Sequence, residues 1–232
     1  MASALKNLWR TLRQPFNAMW GQRRLAEYHA KPRSIEETVD WALHFGGGGY
    51  MTVRTLQMPS EITRLAMMVR DLEPKIILEI GTARGGTLLI WSSLASERVI
   101  SCDLLSLHRQ APLFTKFPPP DSSCTVTLLA GDSHTPAFKA RLAAELGGKK
   151  ADFLFIDGDH TEPGVEKDYR DYAEFVRPGG LIAFHDIVEK QPMPTNQVFG
   201  FWQRLKKTAD TVEFVDNPNQ CGFGIGVVRV PR

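Results

Sequence analysis

The sequence predicts a doubly wound α/β fold with a seven-stranded sheet that ends in an antiparallel pair of strands. Short apolar runs bounded by turn residues alternate with amphipathic helical patterns from about residue 75 to residue 209, which is typical of a parallel sheet covered by helices. A glycine-rich turn follows the first apolar run, where open α/β sheets bind ligands. The last two strand-like runs have no helix between them, so they must pair antiparallel.

Hydrophobic spacing and turn residues define the individual elements. Parallel strands are predicted at 75–80, 98–103, 124–130, 151–157 and 180–186, and helices near 85–96, 135–147, 163–176 and 197–209. Runs this short and apolar are typical of strands buried on both faces. The final strands, near 211–216 and 222–230, are joined by the turn-rich sequence NPNQ. The predicted sheet is therefore Rossmann-like.

Residues 1–55 are predicted to form a helical extension, and residues 56–232 the main domain. The first 33 residues carry seven basic residues and one acid, with apolar residues at helical spacing and Pro15 expected to kink or break the helix. Such a helix can be a lid, a dimer contact or a membrane-surface helix. We favour packing on protein, either on this chain or on a second copy of it.

Two further helices are expected before the sheet. Ser34 and Glu37 form the pattern of a capping box, which predicts a helix through about Phe45. Four glycines at 46–49 then provide a linker or, less favoured, a hinge near the active site. Pro59 begins the next helix.

Composition argues for one globular domain and against several classes of protein. The 232 residues are 43% hydrophobic and 23% charged, which is ordinary for a globular chain. A net charge of +2 gives no argument for a nucleic-acid partner. No apolar run approaches the ~20 residues of a membrane span, and basic residues interrupt any secretory signal. Three widely spaced cysteines lack a zinc or redox pattern, so reduced thiols and a cytoplasmic location are expected.

The turn after the first strand is the candidate cofactor site. Gly81 allows a tight turn and close approach of a ligand, and Gly85 lies where the next helix begins. The amides of that helix favour a carboxylate or a phosphate, and Thr87 can add a hydroxyl donor. Asp103, at the end of the second strand, can accept both ribose hydroxyls. Asp132 and Ser133 end the third strand, within reach of an adenine amino group.

Glu79 discriminates between two cofactors. The glycine pattern alone also occurs in NAD-binding folds, so an NAD-dependent oxidoreductase stays an alternative. An acid two residues before Gly81 can contact the amino group of a methionine moiety, whereas it would repel a pyrophosphate. We therefore favour S-adenosylmethionine, with the alternative that Glu79 only caps or pairs at the strand end.

A second cluster of polar residues is expected beside the cofactor. Asp157 and Asp186 end strands that should be neighbours, about 4.8 Å apart, and two carboxylates this close need a cation or a proton between them. Mg²⁺ or a similar ion fits them, and His185 can add a nitrogen ligand. Asp159 or His160 can act as general base. The alternatives are helix capping, backbone bonding and a non-catalytic scaffold on the same fold.

Three motifs resemble the class I methyltransferases of family 24, a bacterial group similar to catechol O-methyltransferase, macrocin-type sugar methyltransferases and cephalosporin hydroxylase-like proteins. They are EIGTARGGT at 79–87, FLFIDGDH at 153–160 and RPGGLIAFHD at 177–186. The resemblance covers roughly residues 57–230. It implies a metal-assisted O-methyltransferase that acts on the hydroxyl of a sugar or natural product. Separately from the resemblance, we expect a homo-oligomer, namely a dimer.

The resemblance also implies roles for particular residues. The implied cofactor-binding residues are Glu79, Gly81, Thr82, Gly85, Thr87, Asp103, Asp132, Ser133 and Asp157. The implied metal ligands are Asp157, Asp186 and His185, and the implied base is Asp159 or His160. Catechol-type enzymes have asparagine where this chain has Ile187, and macrocin-type enzymes have paired acids where it has His185 and Asp186.

The acceptor pocket is expected to involve the connection 104–123 and the segment 191–201. Phe199, Phe201 and Trp202 can stack on an acceptor ring there, although helix core is the more common role for such residues.

Overall fold

A seven-stranded sheet forms the centre of the computed structural model, which describes residues 2–45, 53–105, 107 and 110–232. The strands are β1 (Ile76–Ile80), β2 (Arg98–Asp103), β3 (Thr125–Ala130), β4 (Ala151–Ile156), β5 (Val176–His185), β6 (Thr211–Phe214) and β7 (Ile225–Arg229). Their order is β3-β2-β1-β4-β5-β7-β6. Strands β1–β5 are parallel, and β7 runs antiparallel to both of its neighbours. The predicted fold class is confirmed.

Helices cover both faces of this sheet. They are α1 (Ala2–His29), α2 (Ile35–His44), α3 (Pro59–Arg70), α4 (Gly86–Leu94), α5 (Ala111–Phe114), α6 (Pro136–Leu146), α7 (Glu162–Tyr172) and α8 (Val198–Leu205). One core contains residues of α1–α5, and the other contains residues of α6–α8. Strand β4 supplies both cores by alternation, since Phe153 and Phe155 enter the first while Leu154 and Ile156 enter the second.

Strand register brings the functional turns to one edge of the sheet. Ile80 pairs with Ile156 in β4, and Ile156 pairs with Phe184 in β5. The chain leaves these three strands at the same level, so the turns that follow them are neighbours. The backbone NH of Asp157 donates to the carbonyl of Ile80 at 2.8 Å, which ties the turn after β4 to the end of β1.

Three local predictions differ from the structure. Of the kink or break expected at Pro15, the break is wrong, because α1 is continuous from Ala2 to His29; the kink stays a prediction. The helix predicted to reach residue 176 ends at Tyr172 and is followed by a 3₁₀ turn. Strand β5 begins at Val176, four residues early, because Val176 pairs with Ala151 beyond a register shift. The short helix α5 was not predicted.

The N-terminal extension packs partly on the sheet. Leu25 of α1 and Ala42 of α2 belong to the same core as Phe153 of β4, and the capping box of Ser34 and Glu37 is present. The boundary at residue 55 stays a prediction, and the glycine linker at 46–49 lies outside the described residues. No helix in the described part of the chain is both long and apolar enough to cross a bilayer.

Candidate active site

Two cavities meet at the turn after β1. The first has a volume of about 430 Å³ and lies toward β2 and β3. The second, about 440 Å³, lies toward β5 and the segment after it. Both are lined by Gly81, Ala83, Asp157 and His160. A ligand that fills the first cavity therefore reaches the wall of the second.

The turn itself requires glycine. Gly81 has φ +104, and a Cβ there would lie 2.0 Å from the carbonyl oxygen of Asp157. Gly85 caps α4 in the left-handed region at φ +72. A Cβ on Gly86 would lie 2.3 Å from the backbone nitrogen of Thr55. At Gly81 and Gly86 the turn thus packs directly on two neighbouring backbones, and the tight turn predicted at Gly81 is present.

The acids predicted to hold a nucleoside line the first cavity. Asp103 accepts hydrogen bonds from the backbone NH groups of Ala83 (2.7 Å) and Leu105 (2.8 Å). Asp132 accepts one from the backbone NH of His134 at 2.9 Å. Ser133 donates away from the cavity, to a buried acid. The structure therefore brings these predicted residues together around one cavity, where Asp103 also braces the glycine turn.

Glu79 lies in the interior and lines neither cavity. It has no exposed surface. Its carboxylate accepts hydrogen bonds from Trp91 Nε1 at 2.9 Å and from the Ser101 hydroxyl, and Ser101 in turn contacts Thr82 at 2.6 Å. Burial raises the pKa of Glu79 to about 7, although hydrogen bonds from Ser101, Thr87 and Trp91 oppose the shift. Glu79 and Thr82 thus support the turn from the interior of the protein, through Ser101. Thr82 also lines the second cavity, as does Thr87.

The raised pKa of Glu79 predicts a pH-dependent stability. The folded-state pKa of Glu79 exceeds the ordinary value of 4.5. The contribution of the protonated Glu79 to the free energy of unfolding is therefore fully present below pH 4.5 and is lost as the pH rises through about 7. The free energy of unfolding of Glu79→Gln minus that of the wild type should therefore increase by roughly 3 kcal/mol as the pH rises from about 5 to about 8. Urea unfolding at each pH measures this difference. The exposed Glu145→Gln serves as control, and parallel pH curves for wild type and Glu79→Gln would contradict the prediction.

Two carboxylates and an imidazole form the acidic wall of the second cavity. His160 Nε2 lies 3.3 Å from Asp157 Oδ1, and His160 Nδ1 lies 3.0 Å from Asp186 Oδ2. One donor atom from each of the three residues falls within 4.8 Å of the other two. The predicted neighbouring carboxylates therefore share a histidine, and the three donors suit a divalent cation.

The charges of this cluster stabilise one another. Hydrogen bonds to Asp157 and Asp186 raise the pKa of His160 to about 10. Burial tends to raise the pKa of Asp157, but His185 and His160 outweigh it and hold that pKa well below its ordinary value. The imidazole of His160 is therefore protonated near neutrality between its two carboxylates. A cation that enters the cluster must displace this proton.

Asp186 has a strained backbone conformation that directs its side chain toward the cluster. Asp186 follows β5 directly and has φ +65, in the left-handed region that non-glycine residues seldom adopt. Its side chain is 8% exposed. Strained backbone of this kind concentrates at functional sites, where surrounding contacts maintain it.

The other two predicted residues are not among the three converging donors, although His185 contacts both carboxylates of the cluster and also lines the second cavity. His185 is buried, with Nδ1 at 3.2 Å from Asp157 Oδ1, and its Nε2 has no partner among the described residues. Burial lowers the pKa of His185, but the charges of Asp157 and Asp186 outweigh this and raise it. Asp159 is exposed and accepts a hydrogen bond from the backbone NH of Thr161 at 2.9 Å. Asp159 thus caps the turn before α7 while it lines the first cavity.

Two site residues were missed by the sequence reasoning. Gln57 Nε2 donates to Asp157 Oδ2 at 3.0 Å, and Asn196 Nδ2 contacts Asp186 Oδ2 and His160 Nδ1. Asn196 lies within the segment 191–201 that was expected to shape the pocket, but nothing in its sequence context singled it out. Gln57 precedes the helix start at Pro59 by two residues and gave no signal.

Two of the three aromatic residues of α8, Phe201 and Trp202, belong to the core. Phe201 is 4% exposed and Trp202 is fully buried, with Trp202 Nε1 donating to Glu213. Both pack against Phe184. Neither they nor Phe199 line the two cavities, so the core interpretation is the one that the structure supports.

Topology and family together define the class of this protein. The strand order and the antiparallel end of the sheet are those of the class I methyltransferase fold. Residues 78–187 match the family Methyltransf_24, described as "Methyltransferase domain". This stretch of the chain is therefore similar to the methyltransferase domains of family 24, as its motifs indicated. This match favours a methyltransferase over the NAD-dependent oxidoreductase.

Solved O-methyltransferases share this fold at low sequence identity. TomG from Streptomyces achromogenes, in complex with S-adenosylmethionine, is 16% identical with a TM-score of 0.59 over 87% of this chain and 92% of that one. An O-methyltransferase from Bacillus cereus with S-adenosylhomocysteine is 18% identical, with a TM-score of 0.54 over 89% and 96%. MycE of mycinamycin biosynthesis, with Mg and S-adenosylhomocysteine, is 18% identical, with a TM-score of 0.57 over 87% of this chain and 56% of that one.

Proposed function

We propose that this protein transfers a methyl group from S-adenosylmethionine to a hydroxyl oxygen of a small molecule, with the assistance of a divalent metal ion. The observation that carries the proposal is the position of Asp157 and His160, which line both cavities. A donor in the first cavity and an acceptor in the second meet at these two residues. The family match and the fold of the O-methyltransferase neighbours support this function.

The first cavity fits the nucleoside part of the cofactor. The turn at Gly81 leaves no room for a Cβ, Asp103 lies beside it to accept ribose hydroxyls, and Asp132 and Ser133 line the far end. When bound, S-adenosylmethionine supplies an electrophilic methyl group. The residues of the chain hold it and orient it toward the second cavity, which is the main contribution that a protein makes to such a transfer.

The second cavity fits a metal ion and the reacting hydroxyl. Asp157, His160 and Asp186 would hold the ion, because their donor atoms already converge, and Gln57 and Asn196 orient the two carboxylates. When bound, a divalent ion supplies a positive charge that stabilises a developing alkoxide. Asp159, which lines the first cavity, is the proposed proton acceptor. The alternative base, His160, is protonated near neutrality between its two carboxylates and would bind the ion once that proton is displaced. His185 supports Asp157 from the buried side.

The outer part of the second cavity suits an acceptor with an apolar body. Pro192 and Phe223 line it, with Leu56 and Met193 each 65% exposed at its rim. Exposed large apolar side chains grouped around a cavity mark a binding surface. This favours a natural product, or a sugar attached to an apolar skeleton, over a free sugar.

A binding titration and a methylation assay test the function. Calorimetry should detect binding of S-adenosylhomocysteine but not of NADH. Transfer of labelled methyl from S-adenosylmethionine should then be measured over phenols, catechols, macrolide glycosides and free hexoses, with Mg²⁺ or with a chelator. Binding of NADH without S-adenosylhomocysteine would overturn the proposal in favour of an oxidoreductase, and binding of neither would favour a scaffold.

The cellular setting completes the proposal. We place the enzyme in the cytoplasm as a homodimer, with residues 1–55 as the lid or dimer contact and residues 56–232 as the catalytic domain. Phe16 and Met19 of α1 are 68% and 67% exposed, which supports a contact with a second copy. We assign no nucleic-acid partner, and a membrane surface is the less favoured alternative for α1. Light scattering of the full chain and of a chain that begins at residue 34 tests the dimer.

A further inference from the structure

A buried acid behind the first cavity has no part in the function proposed above. Asp168 of α7 has no exposed surface. Its Oδ1 accepts a hydrogen bond from the Ser133 hydroxyl at 2.8 Å and lies 3.2 Å from His134 Nε2, at an angle that does not make a hydrogen bond. Its Oδ2 has no partner among the described residues.

The surroundings of Asp168 connect it to both walls of the first cavity. Ser133 and His134 form the wall after β3. On the other side, a Cβ on Gly158 would lie 3.6 Å from Asp168 Oδ2, so the acid also lies behind the turn after β4. One helical turn further along α7, the Tyr172 hydroxyl donates to the Ser133 carbonyl at 2.5 Å. Helix α7 thus fixes the wall after β3 through two side chains.

Packing alone does not explain a carboxylate at this position. Burying an acid is costly unless its partners satisfy it, and an apolar residue of similar size would fill the space at lower cost. Burial raises the pKa of Asp168 to about 6, against the hydrogen bond from Ser133 and the charge of His134, which lower it. The two polar side chains next to this acid are those of Ser133 and His134, and both residues belong to the wall of the first cavity.

We propose that Asp168 is a positioning residue for nucleoside recognition, which holds the Ser133 hydroxyl, and with it the wall that contains His134, in the orientation that binds the base of the cofactor. This inference rests on the proposed function. Without the carboxylate of Asp168, the Ser133 hydroxyl loses its acceptor and is free to turn into the cavity. Asp168 does not touch the reacting atoms, so its removal should weaken binding of the cofactor and spare the chemical step.

The test is Asp168→Asn, which keeps the size of the side chain and removes its charge. We expect the Kd for S-adenosylhomocysteine and the KM for S-adenosylmethionine to rise about 10-fold, because the Ser133 hydroxyl keeps an acceptor but loses the charge that strengthens the bond. At saturating S-adenosylmethionine, kcat should stay within about threefold of the wild type, because the transition-state contacts are intact. The control is Asp171→Asn on the same helix, whose carboxylate pairs with Lys167 at 2.7 Å near the surface; its Kd should not change.

The outcomes separate this inference from the proposed function. Wild-type affinity in a folded Asp168→Asn variant, or an equal loss in Asp171→Asn, would overturn the inference alone. Failure of the wild type to bind S-adenosylhomocysteine would overturn the proposed function and the inference with it. If Asp168→Asn does not fold, Ser133→Ala removes the donor from the other side, and an unchanged Kd in that variant again overturns the inference. When both variants fold, their effects should be non-additive, because one weakens and the other removes the same interaction.

Discussion

Replacing Asp186 by asparagine should lower the rate of methyl transfer by roughly 10²–10³-fold and leave the protein folded. The substitution removes one of the two carboxylates that converge on His160. Several kcal/mol of transition-state stabilisation depend on that charge in the proposed mechanism, and each 1.36 kcal/mol corresponds to about a factor of ten in rate.

Asparagine is the informative substitute at this position. Asp186 has φ +65, and asparagine is one of the few residues that adopt the left-handed region readily. The amide would also keep the size of the side chain in a site that is only 8% exposed. An alanine variant would combine loss of the charge with backbone strain, so its effect on the rate would not report on the carboxylate alone.

The measurement has two independent readouts. Methyl transfer is followed at saturating S-adenosylmethionine across a Mg²⁺ titration, and Mn²⁺ binding is followed by electron paramagnetic resonance without any acceptor. The control is Asp210→Asn, a surface acid paired with Arg229, which should match the wild type in both. Full activity and unchanged Mn²⁺ binding in Asp186→Asn would show that the cluster is not the metal site.

Gly81→Ala should abolish cofactor binding and destabilise the fold by about 2–5 kcal/mol. The left-handed strain of φ +104 contributes about 1–2 kcal/mol for a residue with a Cβ. The Cβ would also lie 2.0 Å from the carbonyl oxygen of Asp157, and forced overpacking of this kind costs about 1–3 kcal/mol. The clash pushes apart the two turns whose contact forms the border between the cavities.

A matched glycine separates the clash from the strain. Gly148 also has a positive φ, +81, but a Cβ there would meet nothing within 4 Å. Gly148→Ala should therefore show only the strain, about 1–2 kcal/mol, and should bind S-adenosylhomocysteine like the wild type. Denaturant unfolding and calorimetry on both variants check this, and equal losses of stability would show that the contact with Asp157 has no effect.

Local sequence was sufficient for most of the fold. Strands such as β2 (Arg98–Asp103) and β4 (Ala151–Ile156) were predicted to within a residue, because their apolar runs are short and end in turn residues. The capping box at Ser34 is also a local pattern, complete within four residues. The start of β5 was misjudged, because Val176 joins the sheet through pairing with a distant strand.

The candidate site was predictable where strand ends supply it. Asp157 and Asp186 end neighbouring strands, so the alternation of the elements already places them together. The contribution of Gln57 was not predictable, since its hydrogen bond to Asp157 spans a hundred residues of sequence. The same holds for the direction of Glu79, which a strand-end position leaves open and which the partners Trp91 and Ser101 turn to the interior.

Local patterns in the chain were enough to establish the alternation of strands and helices, the glycine turn and the acids at the strand ends, because these depend on side-chain period and on backbone freedom within a few residues. Which of those polar groups face a cavity, and which support it from behind, emerged only from the folded chain. Orientation of a side chain depends on partners from distant elements, as Ser101 for Glu79 and Asp168 for Ser133 show. Burial then makes each such partnership obligatory, since a polar group out of water needs one.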